Sequence, residues 1–514
     1  MAGLVRTVAR RGAAALAVLL IPAGVAVGAD RVAPWQPTDQ PVLTVPVVSP
    51  SVDLVCPSPV LLATGDAATP DAAVDPQFDP SPVESVARLT ALSTGTGTTP
   101  AAAEIRSLDG EKVIANLPGS GVNAVISARQ PEAAAVVHAD GGQDRPVDVA
   151  GSVVTRTDDG DLRGLVAASC RPASGETWLV GGSTSVQSSA RLVLQNPGRT
   201  PATVAVSVWG PAGPIDLAAA PELLVPAGTE RSVLLEGLAV EQPRIVVRVA
   251  STGGAVSAYL QDSTLDGLAP AGVSDVVPGH APALRQVIPG VAVSGEKQDP
   301  AVLRLLIPGD DDGTASVTVM DADGATPLPG AESVDLVRGE VLDVPLGGLA
   351  AGTYTLVVDG DVPVLAGAMV ARSSPDESAT TGISPAVDRS WSASAPARAG
   401  DTIALSRMPH WALTVALPEA EGAVSQPVEV EVIGRTGNII GSTTLTARPG
   451  RSTTLDGADL VEVPADAVGL VVRAEPDVAW SVMLEVLLED SSLVAVLGPV
   501  DRPLARETVD LVLR

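Results

Sequence analysis

The segment Leu192-Val193-Leu194-Gln195-Asn196-Pro197 is an alternating apolar run that ends in proline, and the chain repeats it twice. The later copies are LRLLIP at 303–308 and LTVALP at 413–418, so the closing prolines are 111 and 110 residues apart. A second run follows each copy and alternates with a period of two, at 204–208, 317–319 and 428–432. This period is typical of half-buried β-strands. The repeat therefore predicts three copies of one β-domain.

The later parts of the three copies keep the same spacing. Gly228, Gly339 and Gly450 lie 111 residues apart, and each is followed ten residues later by a leucine, at 238, 349 and 460. Each copy then has an apolar run that leads through a polar turn into another strand. The turns are Thr252-Gly253-Gly254, Asp359-Gly360 and Glu475-Pro476-Asp477. Turns of this composition indicate β-hairpins.

The length of the repeat selects the architecture. Solenoid units have about 20 to 50 residues, whereas an immunoglobulin-like sandwich has about 100. We therefore expect an all-β chain of tandem immunoglobulin-like β-sandwich domains, arranged as beads on a string. The three repeats are predicted at 178–272, 273–385 and 386–490. An irregular N-terminal β domain is predicted at 40–177, with a mobile loop at 64–84, and a C-terminal strand or tail at 491–514.

A rival arrangement also fits the repeats. The C-terminal strand, marked by Val509, Leu511 and Leu513, could return to an earlier domain and make a single closed β structure. Exposed joints near 263–287 and 373–400, rich in Ser, Pro, Gly and Asp, favour separate domains.

Composition limits the possible partners. The 514 residues carry a formal charge of -28, which repels phosphate backbones and anionic lipid headgroups. Nucleic-acid binding and electrostatic docking to membranes are therefore poor hypotheses. Aromatic residues make up only 2% of the chain although 46% is hydrophobic, so the cores must be built from Val, Leu, Ile and Ala.

The N-terminus has the pattern of a secretion signal. Arg6, Arg10 and Arg11 precede an uncharged run from Gly12 to Ala29 that ends in small residues. Residues 1–29 are therefore predicted to be a signal peptide cleaved after Ala29, or else an uncleaved membrane anchor, and residues 30–39 a stem. Both alternatives place the remainder outside the cytoplasm.

The two cysteines fit that compartment. Cys56 and Cys170 each end an apolar run and are followed by a proline within two residues. Outside the cytoplasm, a pair of cysteines favours one disulfide over two free thiols. The pair brackets the predicted N-terminal β domain, so the disulfide is expected to close it.

Three stretches resemble an uncharacterised family of secreted or envelope proteins of high-GC actinobacteria, classed as a domain of unknown function. They are ETWLVGGSTSVQSSARLVLQNPG at 176–198, VWGPAGPI at 208–215 and PAGVSDVVPGHAPALRQVIPGV at 270–291. The resemblance implies an extracytoplasmic envelope protein, and it offers no catalytic residues.

No motif of an enzyme or of a cofactor site is present. His138, His280 and His410 are too scattered for a metal cluster, and no nucleophile elbow, phosphate loop or zinc-protease motif occurs. The acidic segments Asp310-Asp311-Asp312-Gly313 and Asp321-Ala322-Asp323-Gly324 are interpreted as hairpin turns, because the calcium-loop pattern lacks its glycine at position 326. We expect no metal and no cofactor.

Tryptophans are the candidate ligand platform. Trp209, Trp391 and Trp411 lie beside turns or linkers, where an exposed ring could stack on a sugar, although packing in a core or at a domain junction is the favoured interpretation.

The sequence thus predicts a non-enzymatic envelope protein that acts as a scaffold or interaction module, with an envelope protein or a glycan as its unidentified partner. The alternatives are a glycan-binding accessory of envelope polysaccharide assembly and, more remotely, a hydrolase. The oligomeric state is left open.

Overall fold

The computed structural model contains β-strands almost throughout, as the sequence predicts. It describes residues 42–46, 51–62, 85–94, 103–117, 123–129, 133–140, 148–217, 222–376, 378, 384–396, 398–500 and 508–512. The predicted signal peptide or anchor at 1–29, the stem at 30–39 and the loop at 64–84 lie outside these residues. In the part of the chain that is described, no helix has the length and apolar character needed to cross a bilayer. The first strand, β1, is Val42–Pro46.

The next strands form a first sandwich of two four-stranded sheets, sandwich 1. They are β2 (Val52–Cys56), β3 (Ser85–Thr94), β4 (Ala103–Ser107), β5 (Val113–Asn116), β6 (Asn123–Arg129), β7 (Ala135–Ala139), β8 (Asp148–Thr157) and β9 (Gly164–Ser169). We letter these eight strand positions A to H in chain order. One sheet has the order A-F-C-D, and the other has the order E-B-G-H.

Sandwich 2 repeats this order, with position D split into two short strands. Its strands are β10 (Glu176–Val180), β11 (Ser188–Asn196), β12 (Ala202–Gly210), β13 (Gly213–Ile215), β14 (Leu223–Val225), β15 (Thr229–Leu234), β16 (Val246–Thr252), β17 (Ser257–Asp266) and β18 (Ala269–Val276). A 3-10 helix at Leu235–Gly237 follows β15.

In sandwich 3 one long strand provides both F and G. Its strands are β19 (Ala283–Val293), β20 (Ala301–Leu306), β21 (Gly313–Met320), β22 (Ala325–Pro327), β23 (Val334–Leu336), β24 (Leu342–Pro345), β25 (Gly352–Ser373) and β26 (Val387–Ala393). Residues 352–360 and 364 of β25 pair with A and C, and residues 365–373 pair with B and H.

Sandwich 4 has the same long F–G strand. Its strands are β27 (Arg398–Ala404), β28 (His410–Leu417), β29 (Gln426–Gly434), β30 (Ile439–Ala447), β31 (Arg451–Asp456), β32 (Ala467–Leu487) and β33 (Ser492–Leu497). A short helix α1 (Gly457–Leu460) and a 3-10 helix at Pro464–Asp466 connect β31 to β32.

The shared strand order corrects two predictions. The region at 40–177 is not irregular, because it holds a fourth copy of the same A-F-C-D and E-B-G-H arrangement. The predicted boundaries also separate paired strands. Residues 273–276 belong to β18 of sandwich 2, β26 pairs with β25 of sandwich 3, and β33, predicted as tail, is the last strand of sandwich 4.

The predicted equivalences hold within this frame. Leu192, Leu303 and Leu413 all lie in strand B, between E and G, and all are fully buried. Gly228, Gly339 and Gly450 precede strand E or lie at its start, with φ of 66°, 75° and 71°. Glycine is the residue that adopts this left-handed conformation without steric cost.

The predicted hairpins between F and G are wrong. F and G never pair with each other, because F lies in one sheet and G in the other. The polar turns at 252–254, 359–360 and 475–477 instead mark the point where the chain passes between sheets. In sandwiches 3 and 4 this passage leaves the strand continuous, with a register irregularity beside it.

The sandwiches are not beads on a string, since each packs its A-F-C-D face on the E-B-G-H face of the next. Between sandwiches 2 and 3, Trp178 and Val246 meet Leu306 and Leu365. The junction of sandwiches 3 and 4 contains Val287, Met320, Val357, Ala416 and Ala479.

The last sandwich packs on the first in the same way. Ala404, Ile433 and Val471 of sandwich 4 meet Leu92 and Ala150 of sandwich 1. The junction of sandwiches 1 and 2 is more polar. Its hydrogen bonds join Ser58 Oγ to the Tyr259 hydroxyl at 2.8 Å, Leu61 N to Gln261 Oε1 at 3.0 Å, and Gln195 Nε2 to the Cys56 carbonyl at 3.3 Å. A head-to-tail contact of this kind closes into a ring when its rotation fits. Residues 52–500 therefore form a closed ring of four sandwiches.

Strand H of every sandwich lies at the centre of the ring. β9, β18, β26 and β33 each pack on at least two others of the set. These four strands run in the same direction. Near one end of the set, Gly164 and Val494 both lie beside Asp388. At the other end, Ser169 forms a hydrogen bond with Gly498, and His280 forms one with Ser394. We call the line that they surround the ring axis.

The predicted disulfide joins Cys56 and Cys170. It links the end of strand A to the residue after strand H, and so connects the two sheets of sandwich 1. Both sulfurs are buried, and a Cβ at Gly151 would lie 2.7 Å from Cys170 Sγ.

The chain ends form a separate small unit, residues 1–47 and 506–514. In it, β1 pairs antiparallel with β34 (Thr508–Val512), with Val42 opposite Val512. The predicted C-terminal strand is therefore present and pairs with a strand near the N-terminus.

Ring closure changes the expected result of limited proteolysis. The connections between sandwiches are held between packed neighbours, so cleavage there should not release a folded fragment of one sandwich. We expect any nicked chain to elute at the volume of the intact protein in gel filtration and to melt in one transition. A folded fragment of about 110 residues that elutes alone would show that the sandwiches are independent.

Removal of the disulfide should destabilise the ring without abolishing its fold. The crosslink spans a sequence separation of 114 residues. The chain-entropy model assigns such a loop about 4 to 5 kcal/mol of unfolding free energy. We expect the double variant Cys56→Ala/Cys170→Ala to lower the denaturant midpoint accordingly, and mass spectrometry of the native protein to find no free thiol. An unchanged midpoint would contradict this role.

Candidate functional site

The four connectors that follow strand H share one feature. Each has a proline two or three residues after the strand ends, at Pro172, Pro278, Pro396 and Pro499. Proline has no backbone N–H and cannot extend a β-ladder. In every sandwich the connector therefore leaves strand H at the same level of the ring axis.

A cavity of about 750 Å³ lies where the four connectors meet. All four contribute to its wall, through residues 171–174, 277–281, 393–396 and 496–500. Main-chain hydrogen bonds fix the connector at 277–281: Gly279 N donates to the Trp178 carbonyl of β10 at 3.2 Å, and His280 N donates to the Ser394 carbonyl of the connector after β26 at 3.0 Å. This axial cavity is the candidate functional site, since its size is typical of a small-molecule pocket.

Three tryptophans form part of the cavity wall, and two of them are held by polar partners. Trp178 Nε1 donates to Glu176 Oε1 at 3.0 Å, and Arg248 lies over its ring at 5.6 Å. Trp391 Nε1 donates to Asp262 Oδ2 at 2.9 Å, and Arg304 lies over its ring at 4.7 Å. These contacts fix both indoles, so the wall is preorganised.

Trp480 differs from the other two. It is fully buried, and its Nε1–H has no hydrogen-bond partner in the structure. A buried donor of this kind costs free energy unless it is satisfied. The neighbouring Ser481 is not its partner, because its hydroxyl donates to the Pro289 carbonyl at 2.9 Å.

The three candidate platform tryptophans occupy different environments, and of the three Trp391 is a lining residue of the cavity. Trp411 is buried in the core of sandwich 4, where its Nε1 donates to the Pro464 carbonyl. Trp391 is 5% exposed and lines the cavity. Trp209 is half-buried, with its ring 5.2 Å from that of Trp178 at the junction with sandwich 3.

Sequence reasoning missed Trp178 and Trp480 as cavity residues. Trp178 packs at the junction with sandwich 3 and also lines the cavity. The signal that could have found the site is the proline shared by the four connectors.

The three histidines are dispersed, as the sequence indicates. His138 contacts Asp53 at 2.6 Å and Asp140 at 3.1 Å, His280 lies at the cavity, and His410 is the exposed first residue of β28. Among the described residues, no group of three His, Cys, Asp or Glu side chains could hold a metal ion. The turn at Asp321 joins β21 to β22, as predicted, and Asp321 Oδ1 accepts from the N–H groups of Asp323 and Gly324. The segment at Asp310 instead precedes β21, where Asp312 Oδ1 accepts from Arg338 N.

The chemistry of the cavity wall suits binding. Its titratable side chains are Arg171, Glu176 and His280. Hydrogen bonding to Arg248 lowers the pKa of Glu176, so this carboxylate is already paired. Glycoside hydrolysis needs two carboxylates across the bond that breaks, and the lining contains one.

Below the cavity, the ring axis contains buried carboxyl groups. Asp388 of β26 accepts from Val494 N at 2.6 Å, and its Oδ1 would lie 2.7 Å from a Cβ at Gly164. Asp388 belongs to sandwich 3 and therefore contacts both sandwich 1 and sandwich 4. Burial raises the pKa of Asp388 to about 8, against the lowering effects of the Val494 N–H and of Arg163. Burial likewise raises the pKa of Asp275 to about 7, opposed by Arg191.

Known proteins give little further guidance. Residues 124–457 match the model of a family described as "Family of unknown function (DUF5719)". No curated protein matches the chain. A solved structure described as "Crystal Structure of Thermotoga maritima 1070" is 14% identical, with a TM-score of 0.18, and the match covers 22% of this chain and 95% of that one. A "Biofilm associated protein - BSP domain" is 9% identical, with a TM-score of 0.13, over 80% of this chain and 90% of that one.

The axial carboxyls predict a stability that falls with increasing pH. The folded-state pKa of Asp388, about 8, lies above its ordinary value of 3.8, so the folded chain holds this proton more tightly than the unfolded chain. The stabilisation is complete below about pH 4 and is lost as pH rises to about 8, by at most about 1.4 kcal/mol per pH unit for each group. Asp388→Asn keeps the shape and removes the titration.

We therefore expect Asp388→Asn to reduce the slope of unfolding free energy against pH between 4 and 8, measured by denaturant titration. Asp310→Asn, in the exposed loop before β21, is the control and should leave the slope unchanged. Equal slopes for the wild type and Asp388→Asn would show that Asp388 is ionised in the folded ring.

Proposed function

We propose that this chain, which belongs to the DUF5719 family of unknown function, is a non-enzymatic protein of the cell envelope that acts as an interaction scaffold. Its partner binds at the axial cavity. The observation that carries the proposal is that connectors from all four sandwiches form one preorganised wall. An occupant there would contact every sandwich at once.

Two features support an extracytoplasmic location. The disulfide between Cys56 and Cys170 is typical of oxidising compartments. The basic and then apolar N-terminal sequence fits a secretion signal or a membrane anchor.

The cavity wall supports binding over catalysis. Preorganisation raises affinity because little side-chain freedom is lost on binding. The wall tryptophans are fixed by Glu176 and Asp262, and the connector at 277–281 is fixed by main-chain hydrogen bonds. The single lining carboxylate, Glu176, is paired with Arg248 at 3.1 Å. A glycoside hydrolase would need a second carboxylate across the bond that breaks.

A neutral glycan is the second candidate ligand. The observation that favours it is the mixed lining of the cavity, where Ser174, Ser257 and Ser394 lie among tryptophans and prolines. Few charges face the ligand, so an uncharged polyhydroxylated chain would lose little on leaving water.

The test uses Ala281, an exposed alanine at the cavity. A photo-crosslinking amino acid at this position, in intact cells, should trap one defined partner. Placed at the exposed Ala420, which does not line the cavity, it should trap none. Ala281→Trp should abolish binding of that partner to the purified protein, and Ala420→Trp should not.

A glycan array separates the two candidate ligands. Specific glycan binding that Ala281→Trp abolishes would favour the glycan accessory. A protein crosslink without glycan binding would favour the scaffold. Equal behaviour of the two positions in both assays would show that the cavity is not the binding site.

A further inference from the structure

The four sandwiches differ in how they protect the outer edge of the A-F-C-D sheet, which is strand D. Sandwich 1 has only the four residues of β5, and sandwiches 2 and 3 each split D into two strands of three residues. Short or interrupted edges are common protections against pairing with another chain. Sandwich 4 has β30, nine residues of sequence IIGSTTLTA without charge or proline.

Most of the outer edge of β30 has no neighbouring strand in the described part of the chain, although Leu460 and Val461 lie against Gly441 near its start. Within the described residues β30 pairs only with β29. A register shift leaves Ile440 as an extra residue, so the regular ladder extends from Gly441, opposite Val432, to Ala447, opposite Gln426. Bulges restrict strand pairing locally. The edge available for pairing is therefore residues 441–447.

The two faces of this edge differ in chemistry. Ser442, Thr444 and Thr446 are exposed on the outer face of the sheet. On the inner face, Ile440 and Leu445 are only partly buried against the core of sandwich 4. A strand added beside β30 would complete their burial if its inward residues were apolar.

Charge argues against a second copy of this chain as the added strand. Each chain has a formal charge of -28, and self-pairing would bring two such surfaces together. Glu429 of β29 is exposed and directly opposite Thr444. A basic side chain on the outer face of an added strand could approach Glu429. The backbones of the added strand and of β29 would be about 10 Å apart, with β30 between them.

We propose that residues 441–447 of β30 form a β-augmentation site for an extended segment of a partner protein that alternates apolar with basic or hydroxyl side chains. Main-chain hydrogen bonds to the edge supply affinity, and the alternating pattern supplies specificity. This site is distinct from the axial cavity and does not depend on a ligand there.

The test uses the full chain and a labelled synthetic peptide in which valine alternates with lysine and threonine. We expect saturable binding by fluorescence anisotropy. The same peptide with N-methylated backbone amides keeps its side chains and charge but cannot form a ladder, so it should not bind.

Two neighbouring variants, Thr443→Pro and Thr444→Pro, locate the site. Successive N–H groups of a strand point to opposite edges, so one proline removes an N–H bonded to β29 and the other removes an outward N–H. The variant that keeps the wild-type melting temperature is the outward one, and it should weaken peptide binding by about tenfold or more, equivalent to about 1.4 kcal/mol.

Thr326→Pro in the short edge strand β22 is the matched control and should bind the peptide as the wild type does. Binding that survives N-methylation or the outward proline would overturn the proposal. Dimerisation of the chain that the outward proline abolishes would also overturn it, because the occupant would then be a second copy.

Discussion

The contact between the A-F-C-D face of one sandwich and the E-B-G-H face of the next is the interaction on which the rest of the structure depends. It recurs at every junction, with apolar side chains at three of them and hydrogen bonds through Tyr259 and Gln261 at the fourth. Because both sheets of a sandwich are covered in this way, none of the four has a fully solvated face. The same contact places every strand H on the axis and every following connector at the axial cavity.

This contact also explains which parts of the fold were predictable. Strand composition and the 111-residue repeat are local properties, and both predicted the strands and the equivalence of Leu192, Leu303 and Leu413. The alternation suggested half-buried strands, but β28 is buried at seven of its eight residues because a neighbour covers its second face. The spacing of the fourth copy differs, because residues 57–84 lengthen the connection between A and B. Topology, rather than repeat length, shows the relationship.

The candidate site was less predictable than the fold. A ligand site was sought among tryptophans near turns, yet Trp411 lies in a core and Trp391 is held between Arg304 and Asp262. The cavity depends on four segments that are about 110 residues apart in sequence. Only ring closure brings them together, and no local pattern encodes that closure. The prolines that follow the four H strands are the sequence feature that the four cavity segments share.

Closure also fixes copy number. A linear array of repeats can gain or lose a member by recombination. The first and last repeats each have one free face, whatever the number of repeats between them. In the ring the face of sandwich 4 is already used by sandwich 1, through residues such as Ile433 and Leu92. A chain with three or five sandwiches would expose two complementary surfaces that cannot meet within one molecule. Such surfaces would join successive molecules into an open polymer.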